Sequence, residues 1–343
     1  MSSPTMRDVA ERAGVSIKTV SNVVNDYVHV KDATRTRVLS ALDELGYQLN
    51  FSARGLRSGR TGVIGLVIPE LRQSYFAELA DAVIHAAEER GLGVMVEQSG
   101  KNHARELDIL SGQKVRLTDG LLFSPARLVQ ADLDRVDVDY PLVLLGERMF
   151  SGGTDHVTMH NESAAIAAVE HLLQRGRRRI AIIGAEPEGM ELIPSSRLRL
   201  GGYRAALERA GVAIDPALIR LAKPWHREVG EDATRQLLDD GVSFDAVFAL
   251  NDSLALGVLR ALSEAGIRVP DDVAVIGFDN IDESKFSRPP LTTIDPRRDL
   301  IAATAVDFLN ERINSKDGES LPSRLYMSPY RIVERESTGL LPS

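Results

Sequence analysis

Ile17, Lys18, Ser21, Asn22 and Asn25 fall on one side of a helical repeat whose Val20, Val23 and Val24 fall on the other. Those side chains, projecting near the start of a helix, suit the edges of bases in a major groove. Lys18 can donate to guanine O6 and N7, Asn22 can pair bidentately with adenine N6 and N7, and Ile17 can touch a thymine methyl. Ser16 and Thr19, together with the free amides of a helix start, suit phosphate oxygens. The plain alternative is a three-helix adaptor whose polar face is only solvated.

Positioning those groups requires a frame, and the flanking sequence supplies one. Met6, Val9, Ala10 and Ala13 give a first helix over residues 5–13, with Thr5 and Asp8 spaced to cap its start and Gly14 to end it. Ser16 is the N-cap candidate of the second helix, Ile17–Asn25. A third, about Ala33–Leu45, sets Val38, Ala41, Leu42 and Leu45 on one stripe and stops at Gly46. Helix, short glycine turn, helix and a supporting helix is the helix-turn-helix plan. Charge agrees: the whole chain is net −8, yet residues 1–60 carry nine basic and six acidic groups, the signature of a basic head on an acidic body.

Beyond Gly62, short apolar runs alternate with helical patterns. Strands are expected at Val63–Ile68, Gly93–Glu97, Gly120–Ser124, Leu142–Gly146, Ile180–Gly184, Ala246–Leu250 and Val273–Asp279. Helices are expected between them, as at Phe76–Arg90, Ser163–Arg175, Arg199–Ala210 and Ser253–Ala265. Continuous apolar strands alternating with helices mean parallel sheets covered on both faces, here as two doubly wound α/β lobes. Ligands of such sheets bind outside the carboxyl ends of the strands, where Asn251, Asp252, Asp279 and Asn280 fall.

Several function classes lack their chemistry. The 343 residues include no cysteine, which removes disulfides and thiolate nucleophiles. Gly91-Leu-Gly93 precedes a strand, the wrong side for a pyrophosphate, and no phosphate loop, His-Glu-x-x-His or Gly-x-Ser-x-Gly occurs. His156 and His160 flank a strand-like Val157-Thr-Met, so no metal site and no cofactor is expected. No apolar run approaches the roughly 18 residues needed to span a bilayer. Met1–Glu11 is polar where an export signal needs an apolar core, so a cytoplasmic protein is expected.

Met6-Arg-Asp-Val-Ala-Glu-Arg-Ala-Gly-Val-Ser16, Thr19-Val-Ser21, Val24-Asn25 and Val38 to Leu45-Gly-Tyr47 together resemble the headpiece of LacI/GalR-type bacterial transcription regulators. Asn50-Phe-Ser-Ala-Arg-Gly-Leu56 resembles that family's hinge helix, and the likeness runs to Glu336-Ser337-Thr338. It implies a helix-turn-helix headpiece over 1–49, a hinge over 50–60, a periplasmic-binding-protein-like body over 61–337 and a tail over 338–343. The first lobe would take about 61–160 and 292–321, and the second about 161–291 and 322–337. The hinge is too short to be a stable helix alone. In the family two hinges pair in the minor groove, and Leu56 holds the position of the leucine that wedges between base steps. Thr5, His29, Thr34, Asn50, Ala53 and Arg54 complete the DNA-contacting set that the likeness implies, with Arg57 and Arg60 near phosphates. Two departures stand out. Asn22 replaces a common arginine, which changes readout there, and Lys31 replaces a capping serine, so Asp32 is expected to cap the third helix.

The same resemblance places the effector. Arg199, ahead of Leu200-Gly-Gly-Tyr203, falls on the family's effector-binding arginine, and Asn251 and Asp279 on its asparagine and aspartate. A guanidinium, an amide and a carboxylate match vicinal hydroxyls, each of which donates and accepts. Trp225, the only tryptophan, holds the place of an aromatic that stacks on the ligand, and Tyr75 and Phe76 a contact site in the opposite lobe. Glu147 or Arg148 stands in for an acid that relatives often carry after the fourth strand. Simpler readings remain: an Arg199–Asp279 structural pair, a packing role for Trp225, and helix-start core roles for Tyr75 and Phe76. The expected protein is a ligand-responsive, homodimeric repressor on a near-palindromic operator, its effector a sugar. A purine-responsive regulator and a plain solute-binding protein are the alternatives. No heptad extension follows Ser337, so dimers rather than tetramers are expected, and loss of either Arg199 or Asp279 should abolish the response without unfolding.

Overall fold

The computed structural model describes residues 4–24, 27, 29–47, 60–111, 117–133, 138–147, 153–185, 194–315 and 321–339. They fall into two compact units, Met1–Thr61 and Gly62–Ser343.

In the first unit α1 (Met6–Ala13), α2 (Ile17–Val24) and α3 (Asp32–Glu44) enclose Val9, Val20, Val23 and Val38. The predicted caps form. Thr5 N donates to Asp8 Oδ2 at 2.7 Å and Asp8 N to Thr5 Oγ1 at 3.4 Å. Gly14 closes α1 at φ 63°, a left-handed conformation that is costly for a residue with a Cβ. Ser16 Oγ accepts from Thr19 N at 3.1 Å and starts α2. The third helix differs from expectation: Lys31 precedes it with no side-chain cap. Asp32 lies inside its first turn, where a carboxylate favours the helix dipole without capping. Asn25 and the hinge residues Asn50, Ala53, Arg54 and Leu56 lie outside the described residues.

The second unit contains two six-stranded sheets among the described residues. The first joins β1 (Val63–Ile68), β2 (Gly93–Gln98), β3 (Leu121–Phe123), β4 (Leu142–Leu145), β5 (Asp155–Met159) and β11 (Leu325–Ser328). Its order is β11-β5-β4-β3-β1-β2, parallel throughout. The second joins β6 (Ile180–Ala185), β7 (Ile219–Leu221), β8 (Ala246–Ala249), β9 (Ala274–Phe278), β10 (Thr292–Asp295) and β12 (Arg331–Val333). Its order is β12-β10-β9-β8-β6-β7, with only β12 antiparallel. Both sheets reverse direction of growth after their second strand, so that the switch point, at which α/β folds open a crevice, lies beside β1 and β6.

Helices α4 (Ser74–Glu88), α5 (His103–Ser111) and α6 (Gln130–Leu133) serve the first lobe. In the second lie α7 (Asn161–Gln174), α8 (Pro194–Arg209), α9 (Arg227–Asp239), α10 (Asp252–Glu264) and α11 (Glu283–Phe286). The last, α12 (Arg298–Asn314), returns to pack on α4. The glycine of the Arg199-Leu-Gly-Gly-Tyr element is a packing device: a Cβ on Gly202 would lie 2.4 Å from Glu162 O, so α7 and α8 approach only without one.

The crossings between lobes differ from those expected. Residues 292–295, assigned from sequence to the first lobe, form β10 in the second sheet, while 325–328, assigned to the second, form β11 in the first. The reason lies in their partners. Thr293 Oγ1 donates to buried Asp252 at 2.6 Å, and Arg324, just before β11, is held by Asp155 of β5 at 2.8 Å. Thr338 is not part of a tail either: it is buried, 2.9 Å from His171 Nε2, next to Ser337, which donates to Val275 O at 2.6 Å.

Candidate functional site

A cavity of about 170 Å³ opens between the two sheets. Its wall is drawn from residues beyond the strand ends: Tyr75 after β1, Lys101 after β2, Ser124 after β3, Glu147 after β4, Trp225 after β7, Asn251 after β8 and Asp279 after β9. Ile301, on α12, closes one side. The cleft lies at the carboxyl ends of the strands, and Asn251 and Asp279 line it, whereas Asp252 is taken up by Thr293 and Ser284 and Asn280 by Arg335.

Arg199 is the most constrained member. It is 3% exposed. Its Nε donates to Asn161 Oδ1 at 2.8 Å, Nη1 donates to Leu250 O, and the guanidinium lies 3.5 Å from the Phe278 ring centroid. Its Nη2 is 3.9 Å from Asp279 Oδ1. The structural pairing left open by sequence is thus present, and most donors of this arginine are already used.

Asp279 is the reverse case. Its side chain is buried, yet among the described residues its carboxyl meets no hydrogen-bond donor, only the 3.9 Å approach of Arg199. Burial pushes its pKa up to about 8, against the pull of the Arg199 charge. Its backbone is at φ 116° and that of Asn280 at φ 52°, a non-glycine pair in left-handed space. A buried carboxyl without a donor, facing an open cavity, is a group that still requires a partner.

Asn251 has two tasks. Its Oδ1 caps α10 by accepting from Leu254 N at 2.8 Å, and Nδ2 lies 3.4 Å from Trp225 O. Trp225 is 7% exposed, with Nε1 donating to Gly184 O at 3.1 Å. The indole is both packed and part of the wall. Tyr75 and Phe76 meet edge to face at 5.2 Å, and burial raises the Tyr75 phenol well above its ordinary pKa. No protein partner meets the Tyr75 hydroxyl among the described residues, so it too is offered to the cavity. Arg148 lies outside the described residues. Glu147 is in the wall and accepts from Asn161 Nδ2 at 3.2 Å.

Sequence reasoning missed Asn161, Gln73 and Glu106. Asn161 bridges Glu147 and Arg199. Gln73 Nε2 donates across the cleft to Trp225 O at 3.3 Å. Glu106, fully buried, collects the backbone N–H groups of Ala126, Arg127 and Leu128 at 2.9–3.0 Å and so shapes the wall after β3. An amide or acid of this kind carries no spacing signal. Asn161 alone was findable, as the first residue of a helix following a strand.

In the first unit the helix face expected from sequence to read bases has these exposures. Ile17 is 37% exposed, Lys18 is exposed, and Ser21 and Asn22 are half-buried around Val20 and Val23. Ser16 Oγ is engaged with Thr19 through both its amide and its hydroxyl, at 3.1 and 2.9 Å. His29 is exposed against Tyr27, and Thr34 is half-buried in the first turn of α3.

A helix-turn-helix unit joined to a two-lobed body with a cleft defines a DNA-binding protein that carries a small-molecule receptor. Residues 5–50 match the family described as bacterial regulatory proteins, lacI family, and residues 169–338 the periplasmic binding protein-like domain. The ribose operon repressor of Escherichia coli (strain K12) is 35% identical over 342 residues, covering 97% of this chain and 99% of that protein. Catabolite control protein A of Priestia megaterium is 32% identical over 335 residues, covering 97% and 99%. A crystal structure of the lac repressor dimer bound to operator and the anti-inducer ONPF superposes with a TM-score of 0.79 at 29% identity, covering 99% of this chain and 100% of that one. The chain belongs to the lacI family of bacterial regulatory proteins. The ribose operon repressor and the lac repressor are repressors by name. No helix among the described residues is long and apolar enough to cross a membrane.

Proposed function

We propose that this chain is a homodimeric transcriptional repressor whose affinity for a near-palindromic operator is set by a hydroxyl-rich small molecule, a sugar, held in the cleft. The observation that carries the effector class is the Asp279 carboxyl: buried, without a donor among the described residues, and lining the same cavity as Tyr75, whose hydroxyl likewise has no protein partner among the described residues. Vicinal hydroxyls can donate to Asp279 and accept from Tyr75 at once. Trp225 and Phe76 add apolar wall against which the face of a sugar ring packs. A purine would use the same aromatic surfaces but bring fewer donors to Asp279, which makes it the second reading.

On the DNA side, Lys18, Asn22 and Ile17 reach base edges, while Ser16 and Thr19 act at phosphates. Ligand binding alters the relation between the lobes and, through residues 50–60, the ability of the two heads to occupy their half-sites. Whatever factor the ligand applies to operator affinity, the operator applies to ligand affinity.

The test uses full-length protein. Selection from random duplex DNA should return near-palindromic sites, and deletion of residues 1–60 should abolish their binding while leaving ligand affinity intact. Thermal shift with D-ribose, cellobiose and adenine should show stabilisation of the wild type by a sugar and not of Asp279→Ala. Stabilisation by adenine alone would move the assignment to the purine reading. Stabilisation that survives Asp279→Ala would remove the carboxyl from the site.

A further inference from the structure

The turn that carries Asp279 is gripped from the other lobe. Arg298 is the first residue of α12, just after the chain has crossed from the second lobe to the first. Its guanidinium donates to Asp279 O through Nη1, to Asn280 O through Nη2 at 3.0 Å, and to Glu78 Oε2 on α4. The other oxygen of Glu78 accepts from Asp282 N at 2.8 Å. Two side chains of the first lobe thus hold three backbone groups of the second.

The grip falls on strained backbone. Asp279 and Asn280 sit at φ 116° and 52°, values that persist in non-glycine residues only where the surroundings over-determine them. Some restraint is local: Asp279 N donates to Ile294 O at 2.9 Å, and Arg335 Nη2 to Asn280 Oδ1 at 2.7 Å. The carbonyl oxygens of Asp279 and Asn280, however, are held by Arg298. The same guanidinium lies 5.9 Å from the Tyr75 ring centroid, so it neighbours both residues that, among the described residues, offer groups without a protein partner to the cavity. Planarity matters, because a guanidinium spreads its donors over separate nitrogens of a rigid fork, whereas an ammonium concentrates three donors on one atom at the end of a flexible stem.

We infer that Glu78 and Arg298 are positioning residues for the effector: the pair fastens the Asp279 turn to the first lobe, so that the ligand-facing carboxyl is in place only when the lobes are together. This deepens the proposed function and rests on it for its consequence. Ligand affinity and lobe closure are then coupled through one carboxylate–guanidinium pair, and loss of either partner shifts the empty body toward an open state.

Trp225, the single tryptophan, reports on closure without any ligand, since its ring lines the cleft at 7% exposure and its carbonyl takes the Gln73 amide of the first lobe. Acrylamide quenching of ligand-free, full-length protein should rise at least about twofold in Arg298→Ala as the open state gains population. Glu78→Gln should move the same way by less, and Arg298→Lys should fall between wild type and alanine. His171→Ala, which loosens the second lobe away from the cleft, should lower Tm and leave quenching unchanged. Wild-type quenching in a folded Arg298→Ala overturns the inference, as does a rise no larger than that of His171→Ala. If Arg298→Ala lacks native far-UV circular dichroism, Glu78→Gln decides, and unchanged quenching there is equally fatal. No effector is present in this measurement, so its failure leaves the sugar assignment standing, and failure of the ligand panel leaves the clamp standing.

Discussion

Arg199 Nε donates to Asn161 Oδ1 at 2.8 Å, and Asn161 Nδ2 in turn donates to Glu147 at 3.2 Å, so the arginine is held by a relay that ends on the opposite lobe. With Leu250 O and the Phe278 ring also engaged, this guanidinium is part of the cleft's construction. The sequence led us to expect that Arg199→Ala would silence the ligand response and leave the fold intact. The geometry revises that. Alanine would strand a buried carbonyl, the Asn161 amide and Asp279 together, at a cost of about 3–5 kcal/mol. Urea unfolding should show this loss for Arg199→Ala and a smaller one for Asn161→Ala, which removes the hydrogen bonds to Arg199 and Glu147 but leaves the guanidinium in place on Leu250 O and the Phe278 ring.

Asp279 makes an opposite prediction in pH. Its carboxyl is raised to about 8 by burial, so the folded chain keeps a proton that the unfolded chain releases near the ordinary carboxylate range. The native state then binds more protons between about pH 4 and pH 8, and stability falls as pH rises through that window. Asp279→Asn removes the titration and stays nearly isosteric. Between pH 5 and pH 8 the unfolding free energy should therefore fall more in the wild type than in the asparagine variant. Parallel behaviour of the two proteins would mean that the carboxyl is already ionised in the empty cleft.

His171 carries the contrary sign. Burial and the Arg175 charge lower it to about 4. Its Nδ1 accepts from Arg175 Nη1 at 3.0 Å, which leaves Nε2 to donate to Thr338 Oγ1 at 2.9 Å. The neutral ring therefore fastens the last described residues to α7. This contribution is complete above the unfolded value near 6.5 and is lost as pH falls toward 4, at most about 3 kcal/mol. His171→Gln should flatten the acid limb of the stability curve between pH 6.5 and 4. An unchanged limb would place the acid sensitivity elsewhere.

The residues that explain these effects differ in how far the sequence announces them. Every strand predicted in the body forms within a residue or two of its expected bounds, because an apolar run such as Val63–Ile68 must be buried on both faces. The capped helix starts at Thr5 and Ser16 were equally legible, since their partners lie three residues away. β5, β7, β10, β11 and β12 were not among the expected strands. β7, β11 and β12 are short edge strands, and Leu221, Leu325 and Met327 on them stay exposed, so no burial pattern marks them, while the buried β5 and β10 carry polar residues such as Asp155, His156, Thr292 and Asp295 that break an apolar run. The crossings near residues 296 and 329 failed for a related reason: they depend on Asp252 with Thr293 and on Asp155 with Arg324, pairs far apart in sequence. In the cleft, Asn251, Asp279 and Trp225 were found because strand ends and a family likeness point to them. Gln73 and the Glu78–Arg298 pair were invisible, since each acts on a backbone group or side chain whose position only the folded lobes define, and of Asn161 only its place at a helix start could be read.

Asp155 supplies the last prediction. It is fully buried, and its two oxygens take Arg312 at 2.7 and 2.8 Å, Arg324 at 2.8 Å and the Arg324 amide at 2.8 Å. These contacts bring β5, the end of α12 and the start of β11 to one point, which is why β11 joins the first sheet. Removing the acid alone leaves two guanidinium groups facing each other in a half-buried site, so Asp155→Ala should cost about 3–5 kcal/mol. The cluster as a whole is worth much less than that figure implies, because three charges were taken out of water to form it. Asp155→Leu combined with Arg312→Met and Arg324→Met should therefore recover most of the loss in thermal unfolding. If the triple variant is as unstable as Asp155→Ala, the charges contribute attraction beyond their desolvation, and β11 is held electrostatically rather than by its register against β5.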